Sequence, residues 1–195
     1  MKAFALVAAF VAFHALAFCA ADAPLTRIVL SDSPITPDLR VSLQVPAGWS
    51  VQWYDAARGG SSLARIFRDE SMGRDAIVIA ATRLAEKHRG KTEAEIFSED
   101  FVQAFAKNTG AFTRRRVKTD SWDGAYFEYP IKTGPAGYKV ETHNWMTIAS
   151  GYLVQFQCYF LSENGISESA RRELDLAVAH RYREILLSIE KDSAR

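Results

Sequence analysis

The sequence predicts an α+β fold in which helices pack on a central, mainly antiparallel β-sheet. Apolar and polar residues alternate over several short segments, the period-two pattern of strands with one buried face. Two longer segments instead carry apolar residues at helical spacing. Glycine-containing turns join the last strands directly to one another, which is typical of antiparallel neighbours. We therefore expect one domain over residues 41–190, after an extended, proline-punctuated lead-in over residues 22–40.

Residues 1–21 have the features of an export signal peptide. Lys2 gives a minimal positive start, residues 3–18 form an uncharged apolar stretch, and small residues fit a cleavage site after Ala21. The apolar stretch is too short to span a bilayer comfortably, so we favour a cleaved signal over a membrane anchor. We expect a periplasmic or secreted mature protein that begins near Asp22 and has no transmembrane span.

A lipid anchor is the alternative at the same place. Leu16 to Cys19 resemble a bacterial lipobox, a signal in which the cysteine becomes the lipidated first residue. Such signals normally place Gly, Ala or Ser before the cysteine, whereas this chain has Phe18. We therefore expect the soluble form.

The composition of the mature chain fits one well-packed globular domain. Removing 21 of the 195 residues leaves 174, which is ample for a core. The chain has 24 Lys and Arg and 23 Asp and Glu, so losing Lys2 makes the mature net charge zero. This balance argues against nucleic acid as a partner. Cys158 is the one cysteine after residue 21, so no internal disulfide is expected, and a lone thiol is usually buried and structural.

The helices are marked by their ends and by their apolar stripes. Strands are predicted over residues 41–45, 50–54, 63–68 and 76–81, followed by a helix and four more strands. The helix begins with the capping box of Thr92 and Glu95 and ends at Gly110. A second helix is predicted over residues 167–189, with an apolar stripe that should pack on the sheet: Leu174, Val178, Tyr182, Ile185, Leu186 and Ile189. The closest alternative architecture is a cystatin-like or nuclear-transport-factor-like curved sheet around one helix.

Turn chemistry predicts how the last three strands are paired. A three-residue loop that ends at Gly151 pairs Met146 with Val154, and the loop before it pairs Ile131 with Val140. The two registers agree on a single apolar face. Since a slip of one residue would turn a whole strand over, this agreement supports both registers. The predicted core-facing residues are Ala125, Phe127, Ile131, Val140, Met146, Val154, Phe156 and Phe160.

The opening of the domain resembles a known superfamily. The segment Val-Ser-Leu-Gln-Val-Pro-Ala-Gly-Trp at residues 41–49 is similar to the start of PsbP-like proteins, and Asp123-Gly124 before a strand also fits their order of elements. That superfamily includes the photosystem II extrinsic PsbP protein, the Ran-binding Mog proteins and bacterial DcrB-type envelope proteins. The resemblance covers roughly residues 40 to 190 and implies a PsbP-like α/β/α sandwich with a binding or accessory role. It transfers no ligand-binding residues to this chain.

The usual signatures of catalysis and of cofactor binding are absent from the sequence. It has no glycine-rich phosphate loop, no His-Glu-x-x-His, no cysteine pair at metal-binding spacing and no Gly-x-Ser-x-Gly elbow. The three histidines of the mature chain, His88, His143 and His180, are too far apart to indicate a zinc site. We therefore expect neither a metal nor a cofactor.

The candidate binding residues share the sheet face opposite the predicted core face: Trp145, Tyr126, His143, Glu128, Arg114, Arg116 and Gln157. The registers place Trp145 beside Tyr126, and His143 beside Glu128 and Gln157. An inward Val117 turns the arginines on either side of Arg115 to the same outer face. Protein interfaces favour Trp, Tyr and Arg, so this face suits an acidic or aromatic ligand or a protein partner. The alternative is that a loop or helix covers the face and these pairs only stabilise the sheet.

These observations favour an exported, non-catalytic binding or accessory protein of the bacterial envelope. Its partner would be another envelope protein or a small ligand. The first alternative is a small hydrolase-like enzyme with His143 as base and Glu128 orienting it, which requires a pocket at that pair. The second alternative is a structural or assembly factor.

Overall fold

The computed structural model describes residues 25–55, 61–68, 76–118, 122–133, 139–162, 169, 180 and 182–191. The predicted signal peptide, Cys19 and most of the second predicted helix, including Leu174 and Val178, lie outside the described residues. The strands are β1 (Leu25–Val29), β2 (Val41–Pro46), β3 (Trp49–Trp53), β4 (Ser62–Arg68), β5 (Ala76–Arg83), β6 (Thr113–Lys118), β7 (Asp123–Thr133), β8 (Lys139–Ala149), β9 (Tyr152–Ser162) and β10 (Glu190–Lys191). The helices are α1 (Glu93–Ile96), α2 (Glu99–Thr109) and the helical residues 182–187, here α3.

Two antiparallel sheets form the framework and confirm the predicted α+β class. The larger sheet has seven strands in the order β3-β4-β5-β9-β8-β7-β6, and the smaller one has the order β1-β2-β10. Within the described residues, no helix combines the length and apolar character needed to cross a membrane.

The larger sheet is covered on both faces, so it has two cores. On one face, here the β2 face, side chains such as Val154 and Phe156 pack with residues of the small sheet and of α3. On the other face, the α2 face, Phe127 and Met146 pack with Val102 and other residues of α2 and with Phe97, which lies between the two helices. Helices on both faces agree with the predicted sandwich, whereas the single core face predicted from the sequence is wrong.

The hairpin between β8 and β9 explains that error. Its loop has two residues instead of three: Ser150 and Gly151 have φ of 51° and 77°, and two successive positive φ values characterise a type I′ turn. The backbone N–H of Arg40 donates a hydrogen bond to Ser150 Oγ at 3.0 Å, which helps to hold this non-glycine residue there. Met146 therefore pairs with Gln155 and not with Val154. The slip of one residue turns the apolar side chains of β9 to the β2 face.

The register of β7 and β8 was predicted correctly near Phe127, which pairs with Asn144, and wrongly beyond Pro130. Proline has no N–H to donate to the ladder, and the register shifts between Tyr129 and Lys132. Lys132 thus takes the place opposite Val140 that was predicted for Ile131. Ile131 is 44% exposed and does not belong to the core.

The helix predicted from Thr92 to Gly110 is interrupted. The capping box of Thr92 and Glu95 is present and begins α1, and Gly110 ends α2 with a φ of 76°, as predicted. Between them, Ser98 begins a second helix, because its Oγ accepts a hydrogen bond from the N–H of Phe101 at 3.4 Å. In the described part of the second predicted helix, Tyr182, Ile185, Leu186 and Ile189 are buried as expected.

Glu93 joins the start of α1 to the large sheet and to the C-terminal strand. Its Oε2 accepts a hydrogen bond from the N–H of Asp123 at 3.0 Å. Its Oε1 lies 3.1 Å from the hydroxyl of Thr147 and accepts from the N–H of Ile148 at 3.4 Å. The ammonium group of Lys191 forms an ion pair with the same oxygen, and both side chains are largely buried. One carboxylate thus connects four segments of the chain.

Candidate binding site

A cleft of about 480 Å³ opens on the β2 face, between strands β6–β8 and helix α3. We call it the cationic cleft, because four of its lining residues are Arg or Lys and only one is acidic. Its lining residues are Arg115, Arg116, Val117, Lys118, Tyr126, Glu128, His143, Trp145, Cys158, Phe160, Tyr182, Arg183 and Leu187. Five of the seven predicted residues line it: Trp145, Tyr126, His143, Glu128 and Arg116.

The arginines of β6 are placed differently from the prediction. Val117 packs against the core of the β2 face, so Arg115, two residues away, shares that face. Arg115 pairs with Tyr126, and its guanidinium carbon lies 4.6 Å from the centre of the Tyr126 ring. Arg114 pairs with Phe127 and so belongs to the α2 face. Its predicted place on the same face as Tyr126 and Trp145 is therefore wrong. Arg116 lines the cleft from the edge strand.

Gln157 is the second predicted residue that lies elsewhere. It pairs with Asn144 on the α2 face, because the two-residue turn shifts β9 by one position. The prediction placed it beside His143, but Cys158 takes that position. The thiol of Cys158 is buried, as expected, and this burial raises its pKa well above the ordinary value, so a reactive thiolate is disfavoured.

His143 lies at the centre of a polar network in the cleft. Its Nε2 is 2.6 Å from Glu141 Oε1, and its Nδ1 is 2.5 Å from the hydroxyl oxygen of Tyr126. The Tyr126 hydroxyl in turn donates to Glu128 Oε1 at 2.5 Å. Glu141 was not among the predicted binding residues, although its spacing of two residues from His143 places both side chains on one face of β8.

A neutral Tyr126, a neutral His143 and two ionised carboxylates do not carry enough protons for all the hydrogen bonds of this network. Three contacts require three protons, and a neutral tyrosine and a neutral histidine supply two. The third contact therefore needs one proton more than these two groups supply. Burial, and next the hydrogen bond to Glu128, raise the pKa of Tyr126, so its phenol remains protonated and can donate.

This arrangement differs from the predicted direct pair of His143 and Glu128. Their closest nitrogen and oxygen atoms are 3.9 Å apart, and the Tyr126 hydroxyl bonds to both. Because Glu141 and Tyr126 occupy both ring nitrogens, His143 has no nitrogen left to accept a proton from a substrate. The geometry suits a rigid binding wall better than a general base.

Aromatic side chains form the rest of the wall. Trp145 was expected to face away from the core, but it is half-buried and packs against the core of the β2 face. Its ring contacts Tyr126 edge-to-face, with centroids 4.8 Å apart. On the opposite side, Tyr182 contacts Phe160 at 4.6 Å and donates a hydrogen bond from its hydroxyl to the carbonyl of Tyr159 at 2.9 Å. Helix α3 thus covers part of the face and leaves the cleft open beside it.

No metal-binding group of three or more His, Cys, Asp or Glu side chains occurs among the residues that the structure describes. His143 and its neighbours Glu141 and Tyr126 form a hydrogen-bonded network.

The architecture is a PsbP-like fold: an antiparallel sheet with helices on both faces. The solution structure of cyanobacterial PsbP (CyanoP) from Synechocystis sp. PCC 6803 superposes with a TM-score of 0.53 and 12% sequence identity, over 89% of this chain and 96% of that chain. A crystal structure from Bacteroides thetaiotaomicron VPI-5482 has 18% identity over 79% of this chain and 46% of that chain, and its TM-score of 0.46 adds nothing to the assignment. No protein-family model and no curated protein sequence matches this chain.

Proposed function

We propose that this chain is an exported, non-catalytic binding or accessory protein of the bacterial envelope, and that the cationic cleft binds an acidic group of its ligand. The observation that supports this most strongly is the charge of the cleft lining, in which Arg115, Arg116, Lys118 and Arg183 accompany one carboxylate, Glu128. The second carboxylate of the network, Glu141, does not line the cleft and is hydrogen-bonded to His143. Because the mature chain has no net charge, this concentration of positive charge is local. The acidic group belongs either to a small molecule or to a segment of a partner protein.

Of these cations, Arg115 is placed by a contact with an aromatic ring. Its guanidinium stacks on the Tyr126 ring, which is itself held by hydrogen bonds to Glu128 and His143. A guanidinium fixed in this way offers its N–H fork to a carboxylate or phosphate at a low entropic cost. The aromatic walls of Trp145 and Phe160 provide apolar surface for the body of the ligand. The volume of the cleft lies in the range of small-molecule sites.

The hydrolase-like alternative has one supporting feature, the presence of a cleft beside His143. The argument against a hydrolase is that Glu141 and Tyr126 already bind both ring nitrogens of His143. A purely structural role does not explain why a cleft with four cationic residues is left open beside α3. We therefore favour binding.

Arg115→Ala should weaken the binding of an acidic ligand about tenfold or more, since one hydrogen bond to a charged group contributes about 1.5–3 kcal/mol. Citrate and pyrophosphate, titrated calorimetrically into the mature protein, test the small-molecule source. Capture of partners from an envelope extract by the immobilised mature protein tests the protein source. Arg114→Ala is the matched control, because the neighbouring side chain belongs to the opposite face of the same strand.

The comparison between the two arginines decides the proposal. Equal loss of binding in both variants would indicate a non-specific charge effect. Unchanged binding in Arg115→Ala, for both the anions and the extracted partners, would remove the cationic cleft as the binding site. Added salt should weaken both the binding of the anions and the capture of extracted partners, because salt screens the attraction between exposed charges.

Export is tested by processing. The chain expressed in a bacterial host should be recovered outside the cytoplasm with Asp22 as its first residue, because cleavage after Ala21 fits the small-residue pattern. N-terminal sequencing or intact mass measures this directly. A lipidated Cys19 at the N-terminus would replace the soluble form by an anchored one, and retention of Met1 would contradict export.

A further inference from the structure

A second cleft, of about 500 Å³, lies on the α2 face of the sheet near the end of helix α2. We call it the neutral cleft, because uncharged polar side chains dominate it: Thr109, Tyr129, Thr142, Asn144, Gln157 and Tyr159. The two clefts are on opposite faces of the same strands, and no residue lines both. Gln157 thus belongs to a cleft, although not to the one for which it was predicted.

The sheet registers build the floor of the neutral cleft. Thr142 on β8 pairs with Tyr129 on β7 and with Tyr159 on β9, so that one threonine stands between two tyrosines. In the next row along the strands, Asn144 pairs with Gln157. Side chains paired in this way lie on one face within contact distance of each other. The floor is therefore a row of two rings and a hydroxyl beside a row of two amides.

The hydrogen bonds of these groups are incomplete within the described part of the chain. Asn144 is 3% exposed, and its Nδ2 donates to Gln155 Oε1 at 3.0 Å, whereas its Oδ1 has no partner there. The Tyr159 hydroxyl donates to Gln157 Oε1 at 2.7 Å. A buried acceptor without a partner costs about 1–3 kcal/mol, and native proteins keep few of them. A bound polar molecule that reorients these amides would offset this cost.

We propose that the neutral cleft binds a neutral, hydroxyl-rich small molecule of the sugar class. Amide and hydroxyl side chains both donate and accept hydrogen bonds, and so do the hydroxyl groups of a sugar. Tyr129 and Tyr159 add ring surface on which the C–H groups of such a ligand can pack. Lys132 is the one charged residue of the lining and is exposed, so uncharged donors and acceptors make up the rest of the polar surface of the cleft.

Glucose and N-acetylglucosamine are suitable probes, each titrated alone into the isotope-labelled mature protein and followed by amide chemical shifts. We expect saturable shifts at Thr142, Asn144 and Gln157, and none at Arg115 or Arg183. Thr142→Val should weaken binding of the responding sugar about three- to tenfold, because it removes one hydroxyl but keeps the shape and strand preference. Arg115→Ala should leave it unchanged.

Absence of saturable shifts with both sugars would overturn the proposal. So would shifts centred on the cationic cleft, or equal affinity of the Thr142→Val variant and the unaltered protein. If Thr142→Val were to unfold, Tyr129→Phe would take its place, since it removes only a hydroxyl from a half-exposed ring. These outcomes are independent of the citrate and pyrophosphate experiments, which concern the other face of the sheet.

Discussion

Gly124→Ala should lower the free energy of unfolding by about 3 kcal/mol, at the upper end of the usual cost of overpacking. Gly124 pairs with Thr147 at the start of β7. A Cβ added there would overlap the backbone oxygen of Met146 and lie 2.8 Å from Cζ3 of Trp122. A backbone oxygen within a sheet cannot move away without breaking the ladder between β7 and β8. Urea denaturation of the mature protein measures the effect.

Gly48→Ala is the control for that substitution. Gly48 has a φ of +80° but no atom within 4 Å of an added Cβ. Its replacement should therefore cost only about 1–2 kcal/mol for the left-handed backbone conformation. Equal losses in the two variants, or a Gly124→Ala protein as stable as the original, would contradict the close approach of β7 and β8 described above.

Glu93→Ala should also lower the free energy of unfolding by about 3 kcal/mol. The substitution removes the acceptor for the N–H groups of Asp123 and Ile148 and leaves Lys191 largely buried without its carboxylate partner. Removal of one member of a buried ion pair is costly, because the remaining charge stays desolvated. The loss of the link to β10 should also increase amide hydrogen exchange at the C-terminal strand.

Glu99→Ala is the matched control, since Glu99 also lies in the first turn of a helix. Its carboxylate accepts a hydrogen bond from Gln103 at 3.1 Å on the exposed surface. Exposed pairs of this spacing contribute about 0.2–0.5 kcal/mol. A loss for Glu93→Ala no larger than that for Glu99→Ala would show that Glu93 does not join the four segments.

Local patterns in the sequence were sufficient to predict most elements of the fold. Strands appeared where apolar residues alternate, and the capping box at Thr92 and the glycine at residue 110 marked helix ends as the structure has them. The PsbP-like resemblance of residues 41–49 agreed with the architecture found. These features depend on interactions within a few residues of chain, which a sequence displays directly.

The relative placement of the strands was harder to predict, because it depended on the length of one turn. Ser150 adopts a positive φ that is unusual for a non-glycine residue, and its hydroxyl is bonded to Arg40, 110 residues away in the chain. No local pattern reveals that contact. The one-residue slip exchanged the faces of β9 and removed Gln157 from the predicted site.

The candidate site was predicted only in part, and the reason is again the assignment of faces to the strands. Tyr126, His143 and Trp145 lie on adjacent strands whose register was correct, so they meet as expected. Arg115 was passed over because the face of Val117 was taken to be the only core face, whereas the sheet has a core on each side. Two-sided burial cannot be distinguished from one-sided burial by parity alone.

The location of an acidic ligand on the protein tests the central proposal most directly. The isotope-labelled mature protein, titrated with citrate or pyrophosphate, should show its largest amide shifts at residues 115–118 and 182–187, around the cationic cleft. The Arg115→Ala variant should need about tenfold more ligand for the same shifts, and the Arg114→Ala variant should not. Shifts that centre on the α2 face, or no saturable shifts with either anion, would contradict the cationic cleft as the binding site.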